Sequence, residues 1–146
     1  MKVGTTADRI LIEYDFGKHP KQVWAALTSP EAIAGWWGDH VSLTPKTGGA
    51  FREEWVDEAG REVVTSGVVN RCEAPELLEF SWADDDWPHA THVALILEPL
   101  SAEKTRLRLE HRGWSGLPAE KQQRLIEKHA AGWHHHLRAL EAYLER

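Results

Sequence analysis

The sequence predicts an α+β domain of two layers, in which a seven-stranded curved antiparallel sheet carries two short helices after its first strand and one long C-terminal helix across its concave face. Three observations lead there. Apolar and polar residues alternate with period two in run after run; two prolines stand ten residues apart, each where a helix can begin; and the last thirty residues carry one continuous apolar stripe at helical spacing.

The first strand is read from Ile10, Ile12, Tyr14 and Phe16, which alternate with Leu11, Glu13 and Asp15 as a half-buried strand does. Pro20 and Pro30 then open two tandem helices, because proline's fixed φ suits the first helical turn, where its missing N–H would be unpaired anyway. Ser29 is a good N-cap for the second, Glu31 adds negative charge to its first turn, and Val23/Leu27 and Ile33/Trp37 supply i,i+4 apolar pairs. Helices this short need a larger surface to dock on. Six further strands are predicted at about 39–44, 50–57, 61–72, 77–83, 89–98 and 104–113, joined mostly as a meander through turns such as Asp57-Glu58-Ala59-Gly60 and Ala74-Pro75-Glu76. The last shows the alternation best, with Thr105, Leu107, Leu109 and His111 opposing Arg106, Arg108, Glu110 and Arg112. After Gly116-Leu117-Pro118, the residues Ile126, Ala130, Trp133, Leu137, Leu140 and Leu144 line one side of a helix roughly 40 Å long, enough to cross the whole sheet.

The segment Pro20-x-x-Val23-Trp24-x-Ala26-Leu27-Thr28-x-Pro30-Glu31, followed by Gly48-Gly49-x-Phe51, Glu79-Phe80-Ser81-Trp82 and Gly132-Trp133 with Leu137 and Leu140 behind it, resembles the AHSA1-like (activator of Hsp90 ATPase homologue 1-like) branch of the START/Bet v 1-like (SRPBCC) superfamily. The resemblance runs from about Ile10 to Leu144, within one domain over residues 1–146, and implies the helix-grip fold, β-α-α-β6-α. That scaffold serves lipid binders, cyclases and co-chaperone domains, so function must be argued from the site.

A chain of 146 residues is long enough to enclose a core or a core with a cavity. A net charge of −6, with lysines and arginines scattered among acids, argues against a nucleic-acid partner. No apolar run approaches membrane-spanning length, the first nine residues have no leader-like apolar stretch, and the single cysteine, Cys72, fits a reducing cytoplasm. Eight tryptophans are the outlier, and they suggest either an aromatic interior or a ligand site walled by rings.

Nine histidines raise the question of metal. His134, His135 and His136 diverge by about 100° per step on a helix, and His129 and His136 are about 10 Å apart along its axis, so no metal site is expected. His111 and His129 are expected to look inward, as hydrogen-bonded residues or as polar handles for a ligand carboxylate or phenol. Glu53 shares a strand face with Phe51 and Trp55; it must be partnered, reach solvent at the sheet edge, or hold a proton. Asp84-Asp85-Asp86 lacks the spacing of a calcium loop and reads as a solvated turn with Trp87 at its tip.

The expected function is non-enzymatic binding of a small apolar or amphipathic molecule between the last helix and the sheet, with contacts from Trp36, Trp37, Trp55, Trp82, Leu95, Leu109, His111, Trp114, His129 and Trp133. No cofactor is implied. Two alternatives stand beside it. One is a protein-interaction or stress-response role like that of the Hsp90-activating relatives, although the separate N-terminal domain of those co-chaperones has no counterpart in this sequence; the other is a cyclase-like enzyme using Glu53 and an inward histidine.

Overall fold

Alternating side chains drive eight strands into one antiparallel sheet, which the computed structural model describes together with its helices over residues 1–6 and 8–146. The strands are β1 (Lys2–Thr5), β2 (Arg9–Phe16), β3 (Val41–Leu43), β4 (Ala50–Val56), β5 (Glu62–Glu73), β6 (Leu77–Asp84), β7 (Thr91–Ser101) and β8 (Lys104–Arg112). Across the sheet they run β1-β2-β8-β7-β6-β5-β4-β3. The helices are α1 (Pro20–Thr28), α2 (Pro30–Trp36) and α3 (Ala119–Leu144), and a 3-10 turn at Trp114–Gly116 leads into α3.

The sheet has one strand more than the seven that alternation predicts. All four residues of β1 are exposed, so its sequence carries no period-two signal; it is held as an edge by pairing of Lys2–Thr5 with Glu13–Ile10. The remaining strands fall within a few residues of their expected positions.

Local chemistry explains the helix pair. Pro20 occupies the first turn of α1, and His19 before it forms a capping box: its Nδ1 accepts from the Lys21 amide at 3.1 Å and its own amide donates to Gln22 Oε1 at 3.2 Å. Ser29 caps α2 by accepting from the Ala32 amide at 3.3 Å. The Trp36 indole N–H donates to the Ala26 carbonyl at 2.7 Å, which locks the two short helices together.

One face of the sheet is wet and laced with cross-strand pairs such as Arg106–Asp15 at 2.9 Å and Arg108–Glu13 at 3.6 Å. The other buries Ile10, Ile12, Phe16, Phe51, Phe80, Val93, Leu95, Leu107 and Leu109 against Ile126, Ala130, Trp133, Leu137 and Leu140 of α3. No helix among the described residues is long and apolar enough to cross a membrane.

Candidate functional site: a tryptophan-walled cleft beneath the last helix

The inner face does not close completely. Between α3 and strands β4 and β6 a cavity of about 260 Å³ remains, lined by Glu53 and Trp55 from β4, Trp82 and Asp84 from β6, and Leu125, Lys128, His129, Gly132, Trp133 and His136 from α3. The spacing follows from the elements: alternate residues of each strand point inward, and helix positions three and four apart share the side facing them. Beneath the neighbouring stretch of α3 the space is solid, because Trp37, Phe51, Trp82 and Trp133 meet there. Trp37 lies 5.5 Å from both Phe51 and Trp133 between ring centres, and Trp82 lies 5.1 Å from Phe51 and 5.2 Å from Trp133.

The interior histidines are satisfied and neutral. His111, fully buried, accepts from Trp133 Nε1 at Nδ1 (3.0 Å), so its Nε2 carries the proton and donates to Thr91 Oγ1 at 2.7 Å; Thr91 in turn donates to the Trp82 carbonyl at 2.8 Å. Burial holds its imidazole well below the ordinary histidine value, and the nearby His129 and His92 add to this. His129 donates from Nδ1 to the Leu125 carbonyl at 2.8 Å, which leaves Nε2 to accept from Trp82 Nε1 at 3.3 Å. Burial lowers His129 and His136 to about 4.

The two carboxyls are pushed the other way. Glu53, with its side chain 12% exposed, is raised by burial, against the opposing effect of His40, whose Nε2 sits 3.0 Å from Glu53 Oε2. The Trp37 indole N–H, buried and without a hydrogen-bond partner among the described residues, faces the same carboxyl and also favours its charged form. Asp84 is raised by burial and by Asp86 and Asp85, while it accepts from Thr65 Oγ1 at 2.7 Å; Trp55 Nε1 donates to that same hydroxyl oxygen at 2.9 Å. Apolar rings thus share the cleft with two carboxyls whose burial raises their hold on a proton and two imidazoles whose burial lowers theirs. Among the described residues no three His, Cys, Asp or Glu side chains converge as a metal ion would need.

A second cavity of about 260 Å³ adjoins the first, sharing Trp55, Asp84, Leu125 and Lys128 and continuing past Trp87, Leu117, Pro118, Lys121 and Arg124 toward solvent. Trp87 packs edge-on against Trp114, with ring centres 5.8 Å apart, and so forms part of the cleft wall.

Of the residues expected from sequence to contact a ligand, Trp55, Trp82, His129 and Trp133 line the inner cleft. Trp36, Trp37, Leu95, Leu109, His111 and Trp114 lie behind it in the packed interior, and Trp114 belongs to the 3-10 turn. Glu53, Asp84, Leu125, Lys128, Gly132 and His136 also line it and were not among the expected contacts. Asp84 continues the inward alternation of Phe80 and Trp82, and Leu125, Gly132 and His136 follow from the edge of the α3 stripe, whereas Lys128, which helical spacing assigns to the solvent face, reaches the rim of the cleft over the Trp55 ring.

The family model for activator of Hsp90 ATPase homolog 1-like proteins matches residues 19–145. Among solved structures, a protein from Mesorhizobium loti is 26% identical, with 94% of this chain and 97% of that one covered at a TM-score of 0.77. A Rhodobacter sphaeroides protein is 27% identical over 99% and 97%, with a TM-score of 0.78. DynU16, from the dynemicin biosynthetic locus, is 25% identical over 94% of this chain with a TM-score of 0.76; the match spans 47% of that longer chain. Among curated proteins, none matches significantly.

Proposed function

This chain belongs to the activator of Hsp90 ATPase homolog 1-like family, and from that premise we propose that it binds a small, flat, apolar or amphipathic molecule in the cleft between α3 and strands β4 and β6. The observation that carries this reading is Gly132. In the interior of a helix glycine is less favourable than alanine by about 1 kcal/mol, and a close approach would normally explain it. Gly35 in α2 shows such a reason, since a Cβ there would lie 2.8 Å from the Tyr143 ring. A Cβ on Gly132 would meet nothing within 4 Å, and the space above it is the cleft. The backbone is bare where a ligand would approach it.

The surroundings support the same reading. Trp55, Trp82 and Trp133 offer ring faces and edges, while the half-buried carboxyls of Glu53 and Asp84 offer polar contacts that can fix the orientation of a ligand oxygen or N–H group. A relative encoded in a biosynthetic locus is consistent with a small-molecule partner. The test is a binding titration with the neutral fluorophore N-phenyl-1-naphthylamine, supported by a thermal-shift panel of lipids, phenols and polyketides. A ligand at a hundred times its Kd should stabilise the fold by about 2.7 kcal/mol. The reading fails if no compound shifts unfolding and Gly132→Phe leaves the fluorophore signal unchanged.

The pairing of Glu53 with His40 at the cleft supports a second reading, acid–base chemistry on the bound molecule. Under it, Glu53→Gln removes turnover while retaining binding; turnover that persists in that variant excludes it.

A further inference from the structure

We infer that the outer compartment of the cleft takes the anionic head group of the ligand, so that the molecule bound is an elongated amphipathic acid with its apolar body against Trp82 and Trp133 and its carboxylate, sulfonate or phosphate between Lys121 and Arg124. This rests on the reading of the inner compartment as a binding site and adds the ligand's charge class to it.

Four cations line the outer compartment of a chain whose net charge is −6: Arg61, Lys121, Arg124 and Lys128. Two of them are engaged. Arg61 holds Asp85 at 3.1 Å, Asp86 at 3.4 Å and Asp57 at 3.7 Å. Lys128 pairs with Glu58 at 3.3 Å and lies over the Trp55 ring, 5.4 Å from its centre. Lys121 and Arg124 make no ion pair within 4.0 Å among the described residues, although both border the cavity.

Three acids share that lining, and each already has partners. Asp57 accepts from the Ala59 and Arg61 amides at 2.9 Å, Asp86 pairs with Arg61, and Asp84 accepts from Thr65. The free capacity of the compartment is therefore cationic. Helical spacing places Lys121, Arg124 and Lys128 along one edge of α3 beside Leu125, so a molecule leaving the apolar end of the cleft meets these cations in order. The first turn of α3, which has no side-chain cap and follows the cavity-lining Pro118, adds the positive end of the helix dipole. The walls stay apolar through Trp87, Leu117 and Leu125, which excludes water from one side of any ion pair formed and strengthens it.

Two fluorescent probes of nearly the same shape decide the matter. N-phenyl-1-naphthylamine is neutral, and 8-anilinonaphthalene-1-sulfonate carries an anion on the same ring system. Wild-type protein should bind the sulfonate more tightly, with an affinity that falls as salt rises. In Lys121→Gln/Arg124→Gln the sulfonate should weaken about tenfold, the loss of roughly one charge-assisted contact, while the neutral probe holds its affinity. Both positions are exposed, so the unfolding midpoint should stay close to wild type and serve as the check on folding. Sulfonate binding that the double variant leaves intact, or that survives Gly132→Phe, overturns the inference while leaving neutral-probe binding to stand. Failure of both probes on wild-type protein removes the binding reading itself, and this inference with it.

Discussion

Replacing Gly132 by alanine should stabilise the protein. Gly132 lies in the middle of α3, a helix of 26 residues, and alanine there gains about 0.8–1.0 kcal/mol because the unfolded chain has less conformational freedom to lose. The added methyl meets no atom within 4 Å, so neither a clash nor a packing gain modifies that figure. For a chain of this size the thermal midpoint should rise by roughly 3–4 °C, measurable by circular dichroism at 222 nm and checked by an increase in the urea midpoint at constant slope. Gly132→Phe, which projects a ring into the cleft, should keep at least wild-type stability yet lose N-phenyl-1-naphthylamine binding by more than about tenfold. Stability bought at the expense of binding is the pattern expected where a glycine is kept for a ligand's sake. A lower midpoint in Gly132→Ala would refute the reasoning, since it would mean that the space above the backbone is filled.

Other expectations follow from the same geometry. Stability should be highest above pH 6.5 and fall as the pH drops toward 4: His129 and His136 stay neutral in the fold down to about 4, whereas the unfolded chain takes up protons near 6.5, so each contributes a slope of up to about 1.4 kcal/mol per pH unit. Glu53 and Asp84, raised in the fold, act in the opposite sense just above the ordinary carboxylate value and flatten the lower end of the curve; urea titrations at stepped pH would show both. His111→Leu should cost about 2–4 kcal/mol, because the Trp133 indole N–H and the Thr91 hydroxyl lose a buried partner; a change below about 1 kcal/mol would show that water satisfies them instead. Incubation with a chelator should leave the thermal midpoint where it was, as no group of three ligating side chains converges among the described residues.

Most of the architecture was legible because it depends on period. The strands from Arg9 to Arg112 announce themselves by alternation, and α3 by its stripe from Ile126 to Leu144. Strand β1 was not, since with every residue exposed it has nothing to alternate. The site was legible only by direction. Alternation turned His111 inward, where it lies fully buried, and put Glu53 on the same strand face as Phe51 and Trp55, but whether an inward ring meets empty space or another ring is decided across layers, by partners far apart in sequence. Trp37 faces inward and is met by Phe51, Trp82 and Trp133, whereas Trp55 faces inward beside a cavity. The two carboxyls illustrate the same limit. Glu53 stood out because it shares a strand face with Phe51 and Trp55, but its partner His40 lies beyond a turn; Asp84 was obscured by the acidic run that begins with it.

The long helix is fastened unevenly. Toward its C-terminus the Tyr14 hydroxyl donates to Glu141 at 2.8 Å, and Tyr143 sits tightly over Gly35. Midway along, the Trp133 indole donates to buried His111 at 3.0 Å, while over the N-terminal part of the cleft the polar ties are a 3.3 Å contact from Trp82 to His129 and an exposed pair between Lys128 and Glu58 at 3.3 Å. The turns that carry Leu125 and Lys128 are therefore the least fastened wall of the cleft, and Trp133, pinned by His111 and by the rings of Trp37 and Trp82, marks where the firm hold begins.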